Sequence, residues 1–263
     1  MKPVLPSFNL DIAISYLRSM LFYIAVLISA LLWAPVVYLA LLLPIEKRDL
    51  FSRWWASYVV NAAKYICGLD YRIDGLENLP SGNAIIYSKH QSAWEVVMFK
   101  KEFPPVNTFI LKRELLKLPV IGWGMHAFKP IAIDRGNARQ ALKQVIEQGT
   151  ARLKQGLWVV IFPEGTRVDP GKTCKYQPGG AMLAKQSGYS LIPVALNSGN
   201  CWRRNSILKV PGQITVKVGT PIDPHDKTVR EMNDLARQQI EAMMDEISGL
   251  GGCPTKEAVA RES

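Results

Sequence analysis

A histidine and a glutamate stand five positions apart in KHQSAWE (89–95), just after the apolar run AIIY (84–87). Those residue types can act as one unit. An imidazole takes the proton of a hydroxyl, while a carboxylate holds the other ring nitrogen and stabilises the imidazolium that forms. Geometry restricts the pairing, because positions i and i+5 on one α-helix lie about 140° apart. His90 and Glu95 therefore meet only if His90 is still on a loop and Glu95 sits in the first helical turn. Ser92 as N-cap, with Glu95 as the N3 residue of an S-x-x-E capping box, gives that arrangement. The same box supplies a purely structural alternative, in which Glu95 reaches back to the Ser92 N–H and stabilises the helix by about 1 kcal/mol. His90 is then a solvated loop residue, and on this stretch alone both alternatives stand. No serine or cysteine nucleophile is required where the substrate brings its own hydroxyl, and the chain has no G-x-S-x-G elbow.

A second stretch, IFPEGTR (161–167), follows the most apolar of the candidate strands. Pro163 and Gly165 turn the chain at a strand's carboxyl end, where open α/β sheets place ligands. Glu164 and Arg167 then project into the crevice that holds His90, and the planar fork of an arginine suits a phosphate monoester. The plain alternative is a surface turn with a solvated ion pair. GTRVDPGKT (165–173) has the spacing G-x5-G-K-T where a phosphate-binding P-loop needs G-x4-G-K-[ST], so nucleotide binding there is rejected.

Loops at strand ends need a sheet to carry them. Short apolar runs mark candidate strands at 71–75, 83–88, 107–112, 130–134, 157–163, 190–196 and 214–219. The unbroken apolar character of IIY, WVVIF and LIPVAL predicts strands covered on both faces, hence an α/β fold with a largely parallel, helix-flanked sheet. NARQALKQVIEQGTARLKQG, between 134 and 157, reads as a helix with Asn137 and Gln140 as its capping box. A final helix over 228–248 turns Met232, Leu235, Ile240, Met243, Met244 and Ile247 inward.

From Met20 to Leu43 the chain carries no charge over 24 residues, enough to cross about 30 Å of hydrocarbon. Pro35 is expected to break or kink that helix. A second helix follows the polar turn EKRD (46–49), with Trp54, Trp55 and Tyr58 beside Arg53 and Lys64 suited to the headgroup level. Basic residues flank both ends of the apolar run, so a two-helix anchor with both ends on the cytoplasmic face is expected. The chain divides accordingly into an anchoring hairpin (1–69), a sheet domain (70–248) and a disordered tail (249–263). Four scattered cysteines without a C-x-x-C pair and three distant histidines predict no metal site. Lys and Arg exceed Asp and Glu by 32 to 22, so anionic partners are favoured. Nucleic-acid binding would rest on that charge alone, without a motif.

Together these stretches resemble the glycerolipid acyltransferases, most closely the bacterial lysophosphatidate acyltransferases. The family's H-x4-D block is similar to His90-Gln-Ser-Ala-Trp-Glu95, with Glu where Asp is commoner. Its basic K-x-E-L segment and I-D-R resemble LKRELLKLPVIGWG (111–124) and IAIDRG (131–136); F-P-E-G-T-R is matched in full at 162–167; LIPVAL (191–196) resembles the last block. The resemblance covers roughly residues 70–220 and implies a glycerol-3-phosphate acyltransferase-like fold for the sheet domain. It implies transfer of a fatty acyl group from acyl carrier protein or coenzyme A to the sn-2 hydroxyl of lysophosphatidate, giving phosphatidate. His90 is then general base supported by Glu95. Lys112 and Arg167 clamp the phosphate with Arg113 and Arg135 as helpers, and Glu164, Gly165 and Thr166 shape the acceptor pocket. No cofactor is implied; membrane phospholipids are partners, and the location is the inner membrane with the catalytic domain facing the cytoplasm.

Overall fold

The computed structural model describes residues 10–117, 121–126, 128–134 and 136–249. Arg135 and the tail from 250 onward lie outside them. Two helices come first, α1 (Leu10–Ala40) and α2 (Ile45–Cys67). There follow β1 (Leu69–Asp74), β2 (Ile85–Ser88), α3 (Trp94–Glu102), β3 (Asn107–Lys112), α4 (Ile121–His126), β4 (Ile131–Ile133) and α5 (Ala138–Lys154). The rest comprises β5 (Trp158–Ile161), α6 (Gly179–Ser187), β6 (Leu191–Leu196), α7 (Ser198–Cys201), β7 (Gly212–Val218) and α8 (Val229–Gly249).

The strands form a seven-stranded sheet ordered β1-β7-β6-β2-β5-β3-β4. Every neighbouring pair is parallel except β6 and β7. Every residue of β2, β5 and β6 is buried, as strands sandwiched between helices must be. The two-residue strand period divides their side chains between two cores. Ile86 and Val160 join Val59 and Ala63 of α2 and Met98 and Phe99 of α3 on one face. On the other, Ile85 and Val159 join Val145 of α5, Leu183 of α6 and Ile240 of α8.

The amino-terminal hairpin thus supplies part of a core. Ser19 and Phe22 of α1 are buried, and Phe22 packs edge-on against Trp202 at 5.2 Å. Lys209, itself buried, donates from Nζ to the Tyr23 hydroxyl at 2.8 Å and lies over the Tyr23 and Trp202 rings. At the start of α2, Asp49 forms a buried ion pair with Lys100 at 2.5 Å and accepts the Val106 N–H at 3.0 Å. Val106 has φ 60°, a left-handed backbone that a β-branched residue rarely adopts, so Asp49 holds a strained turn. α2 ends at Gly68, whose φ of 71° closes the helix by donating to the carbonyls of Ala63 and Lys64.

Two local expectations change, and one cap bond forms as expected. α1 does not end at Pro35 but continues to Ala40, losing one backbone donor without breaking. In α5 the Asn137 side chain does accept the Gln140 N–H, at 3.0 Å. Leu235 of α8 is exposed and Ala236 takes the inward place, since Met232, Ala236, Ile240, Met243 and Ile247 follow steps of three and four along one stripe. The outer side of the hairpin stays apolar: Leu17, Leu21, Ile24, Ile28, Leu32 and Leu39 of α1 and Trp54 and Tyr58 of α2 are exposed. α1 is long and apolar enough to cross a membrane.

Candidate active site

β2 and β5 lie side by side, so the loops leaving their carboxyl ends meet. His90 is on the first loop and Glu95 is in the opening turn of α3, as the i,i+5 geometry requires. His90 Nδ1 lies 2.6 Å from Glu95 Oε2. A carboxylate only accepts, so Nδ1 carries the proton and Nε2 is left as the basic nitrogen. Glu95 is fully buried, and its second oxygen is also used. Oε1 accepts the Gln91 N–H at 2.8 Å, the Ser92 N–H at 2.7 Å and the Ser198 hydroxyl at 2.6 Å. Such donors satisfy the lone pairs of a carboxylate shut off from water.

The contact with His90 and the reach back to the Ser92 N–H are therefore made by the same carboxylate. Its reach back to Ser92 is half of a capping box, yet the helix begins at Trp94, with Ala93 in the cap position. Ser92 differs from expectation: its hydroxyl accepts the Trp94 N–H at 3.1 Å, one residue short of a capping-box bond. The chain must turn tightly there so that both Gln91 and Ser92 aim their N–H groups at one oxygen.

The FPEGTR loop straps His90 in place. Phe162 stacks on the imidazole, with ring centroids 3.9 Å apart and planes 17° from parallel. Glu164 Oε2 accepts the His90 N–H at 2.7 Å, and the Val168 N–H donates to the His90 carbonyl at 2.8 Å. Glu164 is itself buried and pairs with Lys89 at 3.0 Å; Lys89 also meets Glu241 of α8 at 3.0 Å, where the Tyr176 hydroxyl donates as well. Burial pushes the Glu164 carboxyl above its usual range, against the pull of Lys89. For Lys89 burial works to lower the ammonium, but Glu164 and Glu241 outweigh it and hold the group above its usual value.

A cavity of about 1160 Å³ opens at His90. Its apolar walls include Trp33 and Val37 of α1, Trp55 of α2, Val97 of α3, Phe109 of β3 and Leu142 of α5, while Lys112, Thr166, Arg167 and Arg204 bring polar groups to its lining. Glu164 and Gly165 also line it, Gly165 with φ 68° at the turn. Lys112 stands at the end of β3, 3.6 Å from Glu114. Arg113 is exposed in the turn that follows and is not among the lining residues, since successive side chains at a strand end diverge. Among the described residues no cluster of His, Cys, Asp and Glu could hold a metal ion.

Four side chains at the site escaped the sequence analysis: Lys89, Ser198, Arg204 and Glu241. Lys89 adjoins the histidine and Ser198 follows LIPVALN, but only the fold brings Ser198 and Glu241 to the loop. Arg204 donates from Nη1 to the Arg167 carbonyl at 2.7 Å, beside the residue the motif had marked.

An acyltransferase family model matches residues 70–197. The 1-acyl-sn-glycerol-3-phosphate acyltransferase of Pseudomonas aeruginosa is 38% identical over 237 residues, covering 88% of this chain and 92% of that one. The Saccharomyces cerevisiae enzyme of the same name is 27% identical over 250 residues, covering 91% and 79%. The crystal structure of the Thermotoga maritima lysophosphatidate acyltransferase PlsC superposes with a TM-score of 0.74 at 23% identity, covering 88% of this chain and 95% of that one, a likeness of fold.

Proposed function

The chain belongs to the acyltransferase family, and we propose that it transfers a fatty acyl group from a thioester to the sn-2 hydroxyl of lysophosphatidate, forming phosphatidate for phospholipid synthesis. The observation that carries this is the His90–Glu95 pair at 2.6 Å, with His90 lining a cavity that has apolar walls and cationic groups. His90 Nε2 takes the hydroxyl proton as the oxygen attacks the thioester carbonyl. The carbon–sulfur bond then breaks, and the imidazolium returns its proton to the departing thiolate. An ester and a free thiol result. Glu95 stabilises the imidazolium between these steps, so the positive charge is never buried alone.

Lys112 and Arg167 bind the acceptor phosphate as charge-assisted donors. Arg135 is a further candidate helper for that phosphate, and Gly165 and Thr166 shape the acceptor pocket. Glu164 serves from behind, fixing the His90 backbone. The donor is acyl carrier protein or acyl-coenzyme A, and a net charge of +10 suits either of these anionic partners and an anionic bilayer.

The hairpin anchors the protein to the cytoplasmic face of the inner membrane. Contacts from Ser19 to Val37 on α1 and from Asp49 to Cys67 on α2 keep one side of it against the sheet domain or its cavity. α1 buries Ser19, Phe22, Val37 and Ala40 and turns an apolar outer face to lipid, an arrangement suited to seating in one leaflet.

The test is product formation by the detergent-solubilised full chain, given each thioester donor with lysophosphatidate, glycerol-3-phosphate or lysophosphatidylcholine. Phosphatidate as the dominant product supports the assignment. Preference for either other acceptor would replace it.

A further inference from the structure

Glutamate carries one more rotatable bond than aspartate, and its terminal torsion is broad and weakly restrained. The acid of the pair is a glutamate, so something must fix the plane of its carboxylate if Oε2 is to stay on His90. The Gln91 and Ser92 N–H groups both approach Oε1 from the residues just before α3, which is one side only. The third donor comes from elsewhere in the fold, the Ser198 hydroxyl at 2.6 Å and 103 positions along the chain.

Ser198 sits at the head of α7, immediately after Asn197, which links β6 to α7, and is fully buried. Its hydroxyl serves no local need: the four-residue α7 has Asn197 at its cap and no side-chain cap bond. The next residue is built for the same approach. The Gly199 N–H donates to Gln91 Oε1 at 3.0 Å, and a Cβ at Gly199 would meet Gln91 Cβ and Pro170 Cγ, each at 2.9 Å. Close contact of α7 with the His90 loop thus demands glycine there, and the serine beside it is delivered to the carboxylate.

We propose that Ser198 is a positioning residue for the acyl transfer, acting through Glu95 to hold the carboxylate in the plane that orients His90. The inference rests on His90 being the base and extends the acid–base unit beyond residue 197, where the family match ends. Ser198 does not touch substrate: it is absent from the cavity lining, and its effect falls on the chemical step.

The test is steady-state acyl transfer by Ser198→Ala at equal folded concentration, beside wild type, His90→Ala, Glu95→Gln and the double variant Ser198→Ala/Glu95→Gln. Loss of one hydrogen bond to a charged group is expected to lower kcat about 10- to 30-fold, with both KM values within about twofold. In the Glu95→Gln background the same change is expected to cost less than about twofold, because the support it serves is already gone. Ser198→Cys fills the same space with a weak donor and is expected to show the same loss, which keeps the test open should the alanine variant fold poorly. Full kcat in a folded Ser198→Ala or Ser198→Cys, or an equal loss with and without the glutamate, overturns the proposal. Turnover surviving in His90→Ala removes the reading beneath it instead, so the two failures are distinguishable.

Discussion

Glu95→Gln is the perturbation whose outcome follows most closely from the geometry. Two backbone donors, from Gln91 and Ser92, converge on Oε1 within 2.8 Å, and neither can rotate away. A glutamine must therefore present its carbonyl oxygen to them, because turning its NH2 that way would orphan two buried N–H groups at about 1–3 kcal/mol each. The amide nitrogen is then forced toward His90 Nδ1, into the place of the Oε2 atom now 2.6 Å away. An amide there donates, so Nδ1 must accept and the imidazole proton moves to Nε2. His90 keeps its place and loses its function as a base. The cost expected of a wrong tautomer is about 10³- to 10⁴-fold in kcat, or about 4–5 kcal/mol of transition-state stabilisation. Stability should hardly change, since the neutral amide keeps its acceptor bonds. The assay is phosphatidate formation at saturating donor and acceptor, with folded protein quantified by circular dichroism and gel filtration. A folded Glu95→Gln enzyme within tenfold of wild-type kcat would refute the reasoning.

Arg167→Ala and Lys112→Ala, measured by initial rates against each substrate in turn, are expected to raise the acceptor KM about 10- to 100-fold and leave the thioester KM unchanged; an equal rise for both substrates would end the phosphate-clamp assignment. Asp49→Ala strands the buried Lys100 charge and is expected to destabilise by about 3–5 kcal/mol in thermal unfolding, whereas Asp49→Leu with Lys100→Met should recover most of that. A double variant no better than the single would mean that the ion pair itself is indispensable to the hairpin's seat. Burial pulls the Lys209 ammonium down to about 8 from 10.5. Between those values the unfolded chain binds the extra proton, so stability rises with pH through that window, by about 3 kcal/mol, and is flat below it. Unfolding of wild type against Lys209→Met across pH 7–11 checks the sign, and a constant difference between the two would refute it.

What was legible in the sequence followed from local pattern. Apolar runs at 107–112 and 191–196 became strands with the expected bounds to within a residue. The i,i+5 restriction on His90 and Glu95 foretold a loop-to-helix junction, because a single helix cannot bring them together. What was hidden depends on partners distant in the chain. Nothing near Ser198 announces a carboxylate, and nothing near Glu241 announces Lys89, since each pairing exists only once β6 and α8 are laid beside β2. The union of hairpin and sheet was equally silent. Asp49 reads as part of a polar turn, yet it is a buried partner of Lys100 that also restrains Val106. Ser92 shows the limit of motif reading at short range, for the spacing of a capping box was present and the helix began one residue later.

The central claim is that His90 is the base of an acyl transfer to lysophosphatidate. Its most direct test compares wild type with His90→Ala in detergent at equal folded concentration, following phosphatidate from lysophosphatidate and a labelled acyl thioester. Turnover in wild type that falls by at least about a thousandfold in the variant is the expected result, the scale of losing both the base and its orientation. Turnover in His90→Ala within tenfold of wild type would contradict the claim.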